Sequence, residues 1–104
     1  MVVRASSGSS GGGGLLYKSN VTGAVARAGV DTGIKATDAS FACMLTDSNL
    51  YNACLGGYAT ISSGAVTMIC YDYADIYVNG SGNIELKSKL NSDSAYPKMN
   101  IYVC

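Results

Sequence analysis

The stretch AVTMICYDY, residues Ala65–Tyr73, is the clearest strand signal in the chain, and it decides the fold class. It is rich in β-branched and aromatic residues, which favour strands. Side chains alternate between the two faces of a strand, so Val66 and Met68 are expected to share one face with Cys70. The residues between them belong to the other face. Because both faces carry apolar residues, we expect this strand to be covered on both sides.

A β-hairpin is predicted directly after this strand, in the segment DIYVNGSGNIELKSKL. Apolar and polar residues alternate on both sides of the letters NGSG. Asn79-Gly80 is a strong hairpin signal because both residues tolerate positive φ. We therefore predict strands at Asp75–Asn79 and Asn83–Ser88, the second with its charged side in solvent.

The rest of the chain also reads as short strands separated by turn residues. Further candidates are Val21–Ala28, Ser40–Leu45, Gly57–Ser62 and the segment MNIYVC at 99–104. A short helix from Asp47 is the alternative for TDSNLYNACL, since Asp or Ser can cap a helix. Seven or eight short strands predict an all-β fold, either a compact β-sandwich or a small jelly roll.

The first 14 residues, MVVRASSGSSGGGG, differ in composition from everything that follows. Glycine and serine have great backbone freedom and little side chain to bury. The run is not a phosphate-binding loop, because no Gly-Lys-Ser/Thr closes it. We expect residues 1–14 to form a flexible, extended Gly/Ser-rich arm and residues 15–104 to form a single β-sandwich domain.

The composition indicates a domain that is buried against partners. Charged residues make up 13% of the chain, seven basic and seven acidic, so the net charge is zero. Little therefore keeps copies of the chain apart. Nucleic acid is not an expected partner, because the basic residues are scattered. No apolar run is long enough for a membrane helix, and no signal peptide is expected from the first residues.

The residue types argue against an enzyme. The chain contains no histidine, which removes the usual general base and the commonest metal ligand. Carboxylate pairs such as Asp72 and Asp75 remain possible, but acids at that spacing are ordinarily solvated turn residues. We expect no catalytic residues and no cofactor.

Cysteines at 43, 54, 70 and 104 fit no zinc-binding spacing, so no metal is expected. Cys43 and Cys70 suit buried free thiols, since cysteine packs as a small apolar residue. The alternative is a disulfide that involves Cys43, Cys54, Cys70 or Cys104. Cys104 lies at a chain end, where it is placed to reach another chain.

Several stretches together resemble small virion proteins of tailed bacteriophages, of the capsid-decoration (cement), head-fibre or tail-fibre kind. They are the arm RASSGSSGGGG, the segment VDTGIKATDASFACML, the hairpin DIYVNGSGNIELK and the last strand NIYVC. The second is similar to the TGFKPT start of a strand in many short phage β-domains, with Ala36 where proline is usual. The four cysteines also depart from that pattern.

The resemblance implies a virion structural protein that forms homo-oligomers, as a trimer, and docks on other virion proteins in the capsid, collar or fibre. Its arm would then lie extended across neighbouring subunits, with Val2, Val3 and Arg4 as the docking anchor. Fourteen extended residues reach at most about 45–50 Å.

Two other functions stay open from the sequence. One is a carbohydrate- or receptor-binding β-sandwich module with a host glycan as ligand. Asp72, Asp75 and Asn79 would supply its hydrogen bonds, and the stacking surface would come from tyrosines 51, 58, 71, 73, 77, 96 and 102. The other is a small secreted domain held by disulfides.

Overall fold

The computed structural model describes residues 15–48, 52–71, 73–90 and 98–104, with the backbone alone at 47, 48 and 52–55. The predicted arm and its anchor, Val2, Val3 and Arg4, lie outside these residues. The elements in chain order are β1 (Tyr17–Thr22), α1 (Gly23–Ala28), β2 (Val30–Lys35), a 3₁₀ turn (Ala36–Asp38), β3 (Phe41–Ser48), β4 (Asn52–Ser62), β5 (Ala65–Cys70), β6 (Ala74–Val78), β7 (Asn83–Ser88) and β8 (Lys98–Val103).

The strands form two antiparallel sheets that enclose one core. The larger sheet has five strands in the order β1-β8-β3-β4-β5, and the smaller has three in the order β2-β7-β6. Every second residue of β2, β7 and β8 is buried, as period-two alternation requires. Ile34 and Leu86 of the small sheet belong to the same apolar cluster as Met44 and Ile101 of the large one. The prediction of an all-β sandwich is confirmed.

The hairpin predicted around residue 80 is present, with a different turn conformation. β6 and β7 pair over the predicted region, one residue earlier at the start of β6. Asn79 N–H donates to Asn83 O at 2.9 Å, and Gly82 N–H donates to Asn79 O at 2.9 Å. The left-handed residue is Gly82, with φ of 80°, whereas the prediction placed positive φ at Asn79-Gly80.

The strand Ala65–Cys70, β5, has one exposed face, so the expectation that it is covered on both sides is wrong. β5 ends the larger sheet and pairs with β4 alone among the described strands. A two-residue turn joins the pair, with φ of 52° at Ser63 and 81° at Gly64, as this kind of hairpin requires.

A bulge also changes the faces predicted for β5. Ala59 pairs with Met68, but the next pair is Tyr58 with Cys70, which leaves Ile69 as an extra residue. Cys70 therefore lies on the opposite face from Val66 and Met68. Alternation alone cannot reveal such an insertion.

The strand predicted at Val21–Ala28 is wrong, because α1 occupies Gly23–Ala28. Thr22 caps the helix, its Oγ1 accepting a hydrogen bond from the Val25 N–H at 3.2 Å. Gly29 ends it with φ of 105°. Ala26 is fully buried, so α1 packs on the core where the chain passes from the large sheet to the small one.

The helix considered from Asp47 is also wrong. β3 continues to Ser48 and β4 begins at Asn52, so the described backbone on both sides of 49–51 is extended. β3 and β4 cover the predicted strands Ser40–Leu45 and Gly57–Ser62, and each runs further than predicted. β1 and β2 had no predicted counterpart of their own.

Candidate functional site

Polar side chains gather on the outer face of the three-stranded sheet. Asp31 comes from β2, Tyr77 from β6, Asn83 and Glu85 from β7, and Asn79 from the turn that joins β6 to β7. Asp31 lies directly opposite Glu85, and Glu85 lies opposite Tyr77. Side chains opposite each other in antiparallel strands share a face, so the pairing brings these groups together. We call these five residues the polar cluster.

Asn79 is the centre of the polar cluster. Its Nδ2 donates to Asp31 Oδ2 at 2.8 Å and to Glu85 Oε1 at 2.9 Å. Its Oδ1 accepts hydrogen bonds from the backbone N–H groups of Ser81 and Asn83, at 2.9 and 3.1 Å. One amide therefore shapes the hairpin turn and bridges two carboxylates from different strands.

The carboxylate of Asp31 remains charged at neutral pH. The Gly33 N–H donates to Asp31 Oδ1 at 2.8 Å and, despite partial desolvation, holds the pKa of Asp31 below its usual value together with the Asn79 and Asn83 amides. Glu85 accepts a hydrogen bond from the Tyr77 hydroxyl. That bond is the main reason why the pKa of Tyr77 rises to about 12.

The polar cluster can bind by hydrogen bonds, and its geometry is not that of a metal site. The Asn79 amide nitrogen occupies the position between the two carboxylates where a cation would bind. Across the described residues, no three His, Cys, Asp or Glu side chains are grouped closely enough to hold a metal ion. Asn83 Oδ1 is buried without a hydrogen-bond partner.

A second candidate surface is the face of the five-stranded sheet that points away from the core. Pairing registers place Phe41, Cys43, Tyr58 and Tyr102 on it, close together. The Phe41 and Tyr58 rings lie 5.8 Å apart between centroids, tilted by 35°. Lys18 Nζ lies 5.8 Å from the centroid of the Tyr102 ring. We call this surface the aromatic face.

Three of the four cysteines also lie on the aromatic face. Cys43 and Cys70 are on either side of Tyr58, two strand spacings apart, or about 10 Å. Cys104 pairs through its backbone with Phe41, so Cys43 is its diagonal neighbour at about 7–8 Å. Both separations exceed the reach of a disulfide without backbone movement.

Cys43, Cys70 and Cys104 are free thiols, whereas the side chain of Cys54 lies outside the described residues. Burial raises the pKa of the Cys43 thiol, and the nearby Cys104 raises it further. A raised pKa lowers the reactive thiolate fraction. The predicted disulfide stays a prediction.

The residues predicted for glycan binding do not form one surface. Tyr58 and Tyr102 lie on the aromatic face, Tyr77 lies in the polar cluster, and Tyr73 packs against the core. Tyr71 is 63% exposed at the end of β5. Asp75 is exposed on β6 opposite Lys87. Asp72, Tyr51 and Tyr96 lie outside the described residues.

Sequence reasoning identified Asn79 and Tyr77 as candidate binding residues but missed the other three residues of the cluster, Asp31, Asn83 and Glu85. Asp31 is 48 positions away from Asn79, on a strand that had no predicted counterpart. The alternation of Asp31, Gly33 and Lys35 with buried residues was the signal that would have revealed β2.

None of the helices that the structure describes is both long and apolar enough to cross a membrane. Comparison of the chain with protein-family models, curated proteins and solved structures finds no match.

Proposed function

We propose that the chain is a non-enzymatic structural protein of a virion, which forms homo-oligomers and docks on other particle proteins. The resemblance to small phage virion proteins supports this proposal, as does the low share of charged residues. Residues 1–14 would provide the docking arm, with Val2, Val3 and Arg4 as the anchor. The single observation that carries the proposal is the aromatic face.

The aromatic face has the composition of a protein–protein interface. Its centre holds Phe41, Cys43 and Tyr58, and its border holds exposed polar residues such as Asn20 and Thr60. Protein interfaces combine an apolar, aromatic centre with a polar rim in this way. We therefore assign this face to contact with a second copy of the chain.

The area of the aromatic face limits how much surface two copies can bury against each other. Five strands spaced by about 4.8 Å, each about 20 Å long, offer roughly 480 Å² per copy. Two copies would bury about 1,000 Å², the lower limit for a specific interface. Further contacts, such as those of the arm, are therefore needed for a stable assembly.

The proposal is tested by counting copies of the chain in purified particles with quantitative mass spectrometry. Hundreds of copies per particle would indicate a capsid decoration protein, and a few to a few dozen would indicate a collar or fibre. Absence from particles would refute the virion role. Deleting residues 1–14 should leave a folded domain that no longer attaches, and unchanged attachment would refute the role of the arm.

The role of the aromatic face is tested separately in solution. Tyr58→Ser should weaken self-association at least tenfold in sedimentation experiments. The control Val25→Ser removes an apolar side chain that is 48% exposed on α1, away from this face, and should have no effect. Equal behaviour of the two variants would remove the face from the assembly.

The polar cluster supports a second candidate function, a carbohydrate-binding module. Carboxylates, amides and a phenol on one exposed face suit the hydroxyl groups of a sugar. In NMR titrations with a glycan panel at millimolar concentration, the side-chain amide signals of Asn79 and Asn83 should shift. A panel without any binder would eliminate this function.

A further inference from the structure

Of the four edge strands of the two sheets, three carry charged residues, and β5 carries none. Unpaired edges attract other strands, and proteins ordinarily protect them with charged residues. β1 carries Lys18, β2 carries Asp31 and Lys35, and β6 carries Asp75. β5, Ala65–Cys70, has the sequence AVTMIC and no charged residue.

The side chains of β5 are also left partly uncovered. Val66 and Met68 pack against the core but are only partly buried. Ile69, which the bulge inserts, is 49% exposed. A strand added beyond β5 would cover these apolar groups and bind the backbone N–H and C=O groups that point away from β4.

We propose that β5 pairs antiparallel with the β5 strand of a second copy of this chain, joining two five-stranded sheets into one of ten strands. Three observations favour a second copy as the occupant. The edge has no charge that would repel an identical strand, the chain has zero net charge, and an antiparallel strand matches itself about a two-fold axis.

Burial of β5 restricts the register of this pairing. Val66 and Met68 face the core, so both must face the core side of the joined sheet. Among the registers that meet this condition, the one centred on β5 before its bulge pairs Val66 with Met68 of the second copy, and its two-fold axis passes between the two Thr67 residues. The two Thr67 side chains lie opposite each other on the outer face, and Thr–Thr pairs stabilise antiparallel strands. The bulge at Ile69 lies at the end of the paired segment.

The chain contains a control position for this register. Val25 is 48% exposed on α1, which packs near β1, β7 and β8 and away from β5. Only Thr67 lies beside the proposed axis. A lysine introduced at position 67 would lie about 5 Å from the same lysine of the second copy, whereas a lysine at position 25 would not.

Sedimentation velocity of the full chain from micromolar to millimolar concentration tests the proposal. The wild type should show a dimer, and the control Val25→Lys should match its dissociation constant within about twofold. Thr67→Lys should raise that constant at least tenfold, and added salt should restore part of the loss. Far-UV circular dichroism confirms that both variants are folded.

Three results would overturn the proposal: a wild type that stays monomeric throughout, equal dissociation constants for the two lysine variants, or an association that only Tyr58→Ser weakens. None depends on particle copy number, so the virion proposal can fail or succeed independently. In hydrogen-exchange experiments, peptides covering Ala65–Cys70 should gain protection as the concentration rises, and unchanged exchange would contradict edge pairing.

Discussion

Replacing Asn79 with alanine should destabilise the fold markedly, because this one side chain makes four hydrogen bonds. The substitution removes two bonds to backbone N–H groups of the turn and two to the carboxylates of Asp31 and Glu85. Each contributes about 0.5–1.5 kcal/mol net, with the lower values for solvent-exposed groups. We expect a loss of about 2–4 kcal/mol in the free energy of unfolding.

Urea denaturation followed by circular dichroism measures this loss. With an m-value of about 1 kcal/mol/M for a domain of this size, the midpoint should fall by about 2–4 M. Ser81→Ala is the control, since Ser81 lies in the same turn and contributes its backbone N–H to the Asn79 bond. A loss below about 0.5 kcal/mol, or one equal to the control, would refute the central role of Asn79.

The stability lost in the Asn79→Ala variant should depend on pH. Without Asn79, Asp31 and Glu85 face each other across β2 and β7 with no amide between them. The pKa of Asp31, now below its usual value, should rise in the variant. A lowered carboxyl pKa stabilises the fold above the unfolded-state pKa and loses that effect as pH falls through the folded value. The stability difference between wild type and variant should therefore shrink towards pH 3.

Three further changes test other contacts. A Cβ at Gly56 would overlap the Tyr73 ring, so Gly56→Ala should lower the free energy of unfolding by about 1–3 kcal/mol, as measured in thermal melts. The control Gly80→Ala has open space around it and should cost less than half of that. Tyr77 has its pKa raised to about 12 by its carboxylate partner, so the fold should lose stability as pH rises from about 10, the unfolded value, to 12. Tyr77→Phe should abolish that loss, and a persistent step would contradict the assignment. Thr22→Ala removes the cap of α1 and should cost about 1 kcal/mol in urea denaturation, and no loss would show that the cap is dispensable.

The parts of the fold that depend on local pattern could be predicted from the sequence. β6, β7 and the turn between them follow from alternation and from Asn79 and the glycines beside it. β8 was placed correctly to within one residue for the same reason. In these segments the local preference and the tertiary packing agree.

The incorrect predictions concern features that the local sequence of a single segment reveals weakly or not at all. The segment Gly23–Ala28 is too short for a helical period to be visible, and the Thr22 cap with Gly29 is a weak signal. The edge position of β5 depends on strand order, which a pattern of alternation does not contain. The bulge at Ile69 inserts one residue and reverses the face of Cys70.

The candidate sites could be predicted only in part. Asn79 stands out as a turn residue, but its partners Asp31 and Glu85 become neighbours through the pairing of β2 with β7. The aromatic face likewise depends on β8 lying between β1 and β3, which brings Tyr102 beside Cys43. Predicting such contacts between distant segments requires the strand order, which the composition does not contain.

That position of β8 has a consequence for the order in which the chain folds during synthesis. β8 lies between β1 and β3, and Tyr17 pairs with Val103, a residue made 86 positions later. Before Lys98–Val103 leaves the ribosome, β1 has no neighbour in the large sheet, and β3 is paired on one side alone. The β6–β7 and β4–β5 hairpins can form early from local contacts, whereas closure of the large sheet must wait. We expect the large sheet to stay incomplete in nascent chains that stop before β8, until the last strand inserts between β1 and β3.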